Sequence, residues 1–234
     1  MIKHTERLIK QERIMNSERN ITNDLVTEYI NGFYAPLTPE LGELRADSEA
    51  KKVPIILKES ETFLDVMLKI TAPKRILEIG CAVGYSAMFF AESCGAQVIT
   101  IEKDPDMAAV AAANFEKLGY SDRVKVIEAD GEEGVNQLIE AGEEPFDLVF
   151  IDAAKSHYKR FLEASLPLCK SGTVIISDNV LFKARIASDQ YDPTGKHKTN
   201  IKKMREYLDF INEDPRMSTT VVACGDGLSI SKLK

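Results

Sequence analysis

Histidine is scarce in this 234-residue chain, and its three copies, His4, His157 and His197, are scattered. With no cysteine pair beside them, they disfavour the usual zinc ligand sets. The four cysteines, Cys81, Cys94, Cys169 and Cys224, form no C-x-x-C pair and no disulfide framework, so reduced thiols in a cytosolic protein are expected. Long apolar runs are also missing. Charge interrupts the first twenty residues too often for a signal-peptide core, and no later run approaches a membrane span. The chain is therefore expected in the cytoplasm, with no membrane contact. Basic residues are outnumbered, 30 Lys and Arg against 37 Asp and Glu, giving a net charge of -7 at pH 7. This argues against a generally basic nucleic-acid coat while leaving room for a local basic patch. Two phosphate fingerprints are absent as well. Gly80 and Gly84 are spaced G-x-x-x-G rather than G-x-G-x-x-G, and no Lys-Ser/Thr pair closes a P-loop. A pyrophosphate is not the expected guest.

What is present is a regular alternation. After residues 1–20, read as an amphipathic helix that is either solvated or a dimer arm or basic contact surface, Leu25, Val26, Tyr29, Ile30 and Phe33 share one helical face. Thr38 as N-cap and Pro39 at the first helical position open a helix to about residue 52, and another follows with Phe63, Leu64, Met67 and Leu68 on its buried side. From Arg75 onward, strands are predicted at 75–79, 97–102, 124–128, 146–152 and 173–178. Helices are predicted between them at 84–94, 105–118, 132–141 and 158–169. Such alternation predicts an α/β, doubly wound parallel sheet covered on both faces, with ligands at the strands' carboxyl ends. A helix around 198–212 and an antiparallel hairpin turning at Gly225-Asp226-Gly227 complete a single domain, 1–72 forming a helical N-terminal cap and 73–234 the core.

The predicted strand ends carry Glu78, Glu102, Asp130, Asp152 and Asp178, five acids along one rim. Gly80 and Gly84 would let a ligand approach bare backbone. Glu78 is suited to accept from an ammonium group. Glu102, 22 residues beyond Gly80, stands where a doubly wound fold places the carboxylate for ribose hydroxyls. Asp130-Gly131 is placed to meet an adenine edge. This describes a nucleoside site without a phosphate cradle, which S-adenosylmethionine satisfies, with Ser86 at a helix start to meet its carboxylate. Further on, Asp152, Asp178 and Asn179 supply hard oxygens suited to Mg²⁺ or another divalent cation. Lys155 is a candidate general base if a nearby cation depresses its pKa, the alternative being a surface lysine. Tyr158 is either helix packing or a wall of the substrate pocket. Lys183 and Arg185 begin a basic segment, with Lys196, Lys198, Lys202, Lys203 and Arg205, suited to an RNA backbone or simply a solvated surface.

LEIGCAVGYS, Glu102, DAAKSHY at 152–158, SDNVLF at 177–182 and the terminal GDGLSIS resemble the metal-dependent class I O-methyltransferases, the catechol and caffeoyl-coenzyme A group. Within it, VPI at 53–55, ILEIG, IDAAK, DNVLFK and GDGLSISK look most like the bacterial tRNA 5-hydroxyuridine methyltransferases. The likeness covers roughly residues 45–234. It implies a Rossmann-like, seven-stranded sheet with one antiparallel strand and a homodimer. It also implies a methyl donor held by Val53, Glu78, Gly80, Gly84, Tyr85, Ser86, Glu102, Asp130, Gly131 and Asp152. The metal would lie on Asp152, Asp178 and Asn179, with Lys155 near the acceptor hydroxyl. The relatives often have Asp-Ala-Asp-Lys where this chain has Asp152-Ala-Ala-Lys155, but Ala154 is no proposed ligand. The expected acceptor is 5-hydroxyuridine in a tRNA anticodon loop, with a small catechol-like molecule as the alternative.

Overall fold

Short β-branched runs and capped helices build the architecture. The computed structural model describes residues 21–234, so the helix expected over residues 1–20 lies outside the described residues. Three helices come first: α1 (Asp24–Asn31), α2 (Pro39–Ala50) and α3 (Lys58–Thr71). Asn23 caps α1 by accepting from Leu25, and Thr38 caps α2 by accepting from Leu41 at 3.2 Å. Pro39 sits in the first turn of α2, where a missing N–H costs nothing.

Then strands and helices alternate: β1 (Arg75–Ile79), α4 (Tyr85–Cys94), β2 (Gln97–Glu102), α5 (Pro105–Lys117), β3 (Val124–Glu128), α6 (Gly131–Glu140), β4 (Phe146–Ile151), α7 (Tyr158–Ser165) and β5 (Cys169–Ser177). The helix α8 (Lys198–Glu213) and the hairpin β6 (Met217–Val222) and β7 (Leu228–Leu233) follow. The seven strands lie in the order β3-β2-β1-β4-β5-β7-β6, all parallel except β7, which pairs antiparallel with both neighbours. β1 and β4 are buried almost end to end, as strands covered on both faces must be. Strand order reverses between β1 and β4, which puts the ligand crevice beyond their carboxyl ends.

Two element boundaries differ from expectation. The helix predicted to 169 ends at Ser165, and Leu166–Leu168 form a 3₁₀ turn, because Pro167 removes an N–H and clashes with the preceding turn. Strand β5 begins at Cys169 rather than Thr173, and its register with β4 breaks between Cys169 and Val174, opposite Asp147. The Asp147 carboxylate instead accepts from the backbone N–H groups of Lys74 and Arg75. The apolar face of α1 is also not packed inward. Leu25, Val26, Tyr29, Ile30 and Phe33 are all exposed, and α1 buries no residue.

The N-terminal helices are tied to the sheet by a buried polar cluster. Arg45 of α2 forms an ion pair with Glu61 of α3, donates to the Tyr85 hydroxyl of α4 at 3.2 Å, and donates to the Ile56 carbonyl at 2.9 Å. Tyr34 and Tyr85 both donate to Glu61. Burial alone would lower the Arg45 pKa, but Glu61 and the tyrosines hold it above the ordinary arginine range. Removing one partner strands a buried charge, whereas replacing both does not. Arg45→Ala should therefore cost about 3–5 kcal/mol in urea unfolding, and the double change Arg45→Met with Glu61→Leu should recover most of that loss.

Candidate active site

The carboxyl ends of the strands are arranged by their own ladder. Gly80 N–H donates to Ile101 O at 2.8 Å, Asp152 N–H to Ile79 O at 3.0 Å, and Asp178 N–H to Ile151 O at 3.0 Å. Asp152 and Asp178 are thus each held just past the end of their strand, whereas Glu78 stays inside β1, opposite Thr100 and Phe150. Between them opens a cavity of about 720 Å³, within the range of small-ligand sites. Its lining includes Gly80, Ser86, Glu102, Asp130, Gly131, Asp152, Lys155 and Asn179, which the sequence had singled out one by one. Gly80 has φ +91, and a Cβ there would lie 2.2 Å from the Asp152 carbonyl oxygen, so no other residue fits this crossing. At Gly131 a Cβ would meet Ile79 and Phe161 at 2.7 Å.

Several expected contributors lie outside this lining, Glu78 and Asp178 among them, each fully buried behind it. Tyr85 is fully buried with its hydroxyl in the Arg45–Glu61 cluster, because its side chain points to the N-terminal helices while its neighbour Ser86 faces the cavity. Gly84 packs against Phe115 and begins α4 with φ +81. No side chain caps α4, so its first N–H groups are available to an anionic ligand group. Val53 lines a neighbouring groove; Pro54, Ile55 and Ile56 of the same segment reach the cavity instead. Tyr158 is a strut rather than a wall: fully buried, it donates to the Asp178 carbonyl at 2.8 Å and accepts from Lys155 at 2.9 Å. Lys183 and Arg185 do not line the cavity; the Arg185 guanidinium lies 5.0 Å from the Phe182 ring. Among the lining residues that the sequence reading did not single out are His157, Phe161, Ile101, Cys81 and Ala82. Ile101, beside Glu102 at a strand end, and Cys81 and Ala82, beside Gly80, carried a positional signal, whereas Phe161, inside a helix, did not.

Glu102 accepts at once from the N–H groups of Cys81 at 3.1 Å and Ala82 at 2.8 Å through one oxygen, and from Asp104 N–H at 2.9 Å through the other. It therefore anchors the glycine turn and still has lone pairs for ligand hydroxyls. Asp130 caps α6 and accepts from Arg160 at 2.8 Å and Lys103 at 3.3 Å. Burial works to raise its pKa, but Lys103, the Glu132 N–H and Arg160 outweigh that and hold it below the usual carboxylate range. Glu78 is the opposite case. It is fully buried, neither oxygen has a hydrogen-bond partner, and burial pushes its pKa up to about 8, although the nearby Ser86 and Thr100 hydroxyls pull it down.

On the β4–β5 side, Lys155 Nζ donates to Asp152 Oδ1 at 3.3 Å, Tyr158 Oη at 2.9 Å and Asn179 Oδ1 at 3.0 Å. Burial would lower the Lys155 pKa, but Tyr158, Asp152 and Asp178 hold it above the ordinary lysine range. This is opposite to the depressed value a general base needs. Asp178 is fully buried; its Oδ1 accepts from Asn179 N–H at 2.6 Å, and its Oδ2 has no partner. Burial and the Asp152 charge raise its pKa to about 7 against the pull of Lys155. Among the described residues, no three His, Cys, Asp or Glu side chains gather as a metal centre. The set here is two carboxylates and an amide. It suits a hard divalent cation because it offers only oxygens: Asp152 Oδ1 and Asn179 Oδ1 already converge on a cation, the Lys155 ammonium, and Asp178, close enough to feel the Asp152 charge, keeps a buried carboxylate oxygen without a partner. Among the described residues no helix is long and apolar enough to cross a membrane.

Residues 34–234 match the profile of the O-methyltransferase family. The catechol O-methyltransferase of Niastella koreensis is 34% identical over 54% of this chain, an alignment spanning 58% of that protein, less than two thirds of its length. The catechol O-methyltransferase of Mycobacterium tuberculosis is 31% identical over 79% of this chain and 81% of that one. An O-methyltransferase from Bacillus cereus, solved in complex with S-adenosylhomocysteine (SAH), superposes with a TM-score of 0.78 at 29% identity, covering 90% of this chain and 97% of that one. Because Glu102 holds both the glycine turn and the expected ribose contact, Glu102→Ala should weaken SAH binding by about 1.5–3 kcal/mol in calorimetric titration.

Proposed function

The chain belongs to the O-methyltransferase family, and from that premise we propose that it transfers the methyl group of S-adenosylmethionine to the 5-hydroxyl of a uridine in a tRNA anticodon loop, with Mg²⁺ or a similar cation. The observation that carries this reading is that Lys155, Asp152 and Asn179 line the same cavity as the donor-side residues, so acceptor and methyl share one space. On the donor side Glu78 takes the ammonium, the start of α4 with Ser86 takes the carboxylate, Glu102 the ribose hydroxyls, and Asp130-Gly131 the adenine edge. Asp152, Asp178 and Asn179 are the residues that would hold the cation, which supplies a lowered pKa for the acceptor hydroxyl.

In the transfer, the acceptor oxygen forms its bond to the methyl carbon while the carbon–sulfur bond breaks, and sulfur keeps the electron pair as a neutral thioether. Lys155 starts as an ammonium beside that oxygen, fixed by Tyr158 and Asp152. Its service is to donate to and stabilise the oxyanion rather than to act as a free amine base, the acceptor's own proton passing to bulk water before transfer. The Gly80 crossing and the Tyr158 strut hold these groups in alignment.

Support for RNA comes from the segment beyond Asn179. Lys202 and Lys203 pair with Glu206, and Arg205 with Asp189. Among the described residues Lys183, Lys196 and Lys198 make no ion pair, which leaves them to meet phosphates. The small catechol reading is favoured by the names of the relatives from Niastella and Mycobacterium, and 5-hydroxyuridine presents a comparable chelating edge, a hydroxyl beside a carbonyl. A homodimer belongs to the same reading, supported by the exposed apolar face of α1. A cytoplasmic setting is supported by four free thiols.

The test is methyl incorporation from labelled donor into hydroxyuridine-bearing tRNA and into catechol, each with Mg²⁺ or chelator. Metal-dependent labelling of tRNA with little catechol turnover is expected; labelling of catechol alone would transfer the enzyme to small-molecule acceptors. Lys155→Ala should slow transfer by about 10²–10³-fold with SAH affinity unchanged, as for loss of one oxyanion donor, and an unaltered rate would remove Lys155 from the chemistry.

A further inference from the structure

The terminal GDG motif has no part in the donor or acceptor chemistry above, yet it is fastened to the acceptor side. Val180 N–H donates to Gly227 O at 3.0 Å, Leu181 N–H to Asp226 O at 3.0 Å, and Lys183 N–H to Asp226 Oδ1 at 2.6 Å. Leu181 packs so closely on Gly227 that a Cβ there would lie 2.2 Å from its Cγ. The β6–β7 turn therefore grips, from 43 residues away, the chain that leaves Asn179.

What it grips is strained. Phe182, Lys183 and Ala184 have φ of 48°, 54° and 61°, three successive non-glycine residues in the left-handed region, and Asn179 just before them has φ 57°. L-residues visit this region as isolated cases, so a run of three persists only where surroundings over-determine it. Here the surroundings are the Asp226 carboxylate at the centre of the run, the Phe182 ring set edge-on to His197 at 5.3 Å, and Arg205 Nε donating to Ile186 O at 2.8 Å. Asp226 is buried, so its bond to the Lys183 N–H is shielded from water.

We propose that Asp226 is a positioning residue for the acceptor. By holding the left-handed turn at Phe182–Ala184 it fixes Asn179 at one end and the Lys183–Arg185 rim at the other, without touching the donor. The inference rests on the acceptor site proposed above. It separates the two halves of the reaction: loss of the grip loosens acceptor placement and leaves donor binding alone.

The experiment compares wild type, Asp226→Ala, Asp226→Asn and the double change Asp226→Ala with Ala184→Gly. It reads acceptor kcat/KM with catechol as probe, SAH affinity by calorimetry, and hydrogen exchange of the Lys183 amide. Asp226→Ala should lower kcat/KM by about 10- to 100-fold while SAH affinity changes less than about threefold. Asp226→Asn, which still offers an oxygen to the N–H, should lose less. Adding Ala184→Gly should restore about fivefold or more, because glycine adopts the left-handed conformation without a Cβ penalty. If catechol is not turned over by wild type, Lys183 amide exchange in Asp226→Ala decides, or in the double variant where Asp226→Ala alone does not fold. Faster exchange there, with Cys81 and Ala82 amides unchanged, supports the grip, and unchanged exchange overturns it. Parallel loss of SAH affinity, or a double variant no better than Asp226→Ala, would also overturn it.

Discussion

Two carboxylates buried without enough hydrogen-bond donors set the terms for this site. Glu78 has no partner for either oxygen, and Asp178 has none for Oδ2. Both are fully enclosed at the ends of central strands, where leaving a charged oxygen unmatched costs several kcal/mol. A group in that position either holds a proton or waits for a cation, and the raised pKa values of about 8 and about 7 express the same fact. The proposed chemistry supplies a cation to each: the ammonium of the donor beside Glu78 and a divalent ion beside Asp178. Lys155 already meets part of the second demand by binding Asp152 and Asn179 but not the orphaned oxygen of Asp178.

The remaining architecture keeps those carboxylates in place and keeps water from relieving them. The Gly80 crossing lets β1 and β4 end within touching distance of one another, and Glu102 pins the turn that follows. The Arg45–Glu61–Tyr85 cluster binds the N-terminal helices to the start of α4, and its bond to the Ile56 carbonyl brings Ile55 and Ile56 to the cavity. Tyr85 thus ties the N-terminal helices to the helix that carries Ser86, although Tyr85 itself lies outside the cavity lining.

Much of this was legible in the residues. The alternation from Arg75 onward gave the strands to within a residue or two, apart from β5, where Pro167 and the register break at Asp147 intervened. The five acids fall on one rim because they close consecutive parallel strands, a local pattern. What the residues did not reveal was which acids face inward. Glu78 and Asp178 look no different in sequence from Glu102 and Asp130, and their burial depends on strands that arrive from far along the chain. Tyr85 was a donor contact only by the family likeness, and Tyr158 stood open between helix packing and a pocket wall, because their hydroxyl partners lie on distant elements. The left-handed run at Phe182–Ala184 has no turn residue to announce it, since its conformation is imposed by Asp226.

The account turns on whether Glu78 holds a proton that the donor's ammonium displaces. Its raised pKa of about 8 means that the protonated form prevails in the folded protein at neutral pH; the stability this proton brings is fully present below the ordinary glutamate range and lost as pH rises through that value. Titrating SAH into the enzyme at neutral pH, in two buffers of different ionisation enthalpy, counts protons released on binding. The account requires release of close to one proton, abolished by Glu78→Gln. Equal heats in both buffers would show that no buried carboxyl gives up its proton to the ligand, and would contradict it.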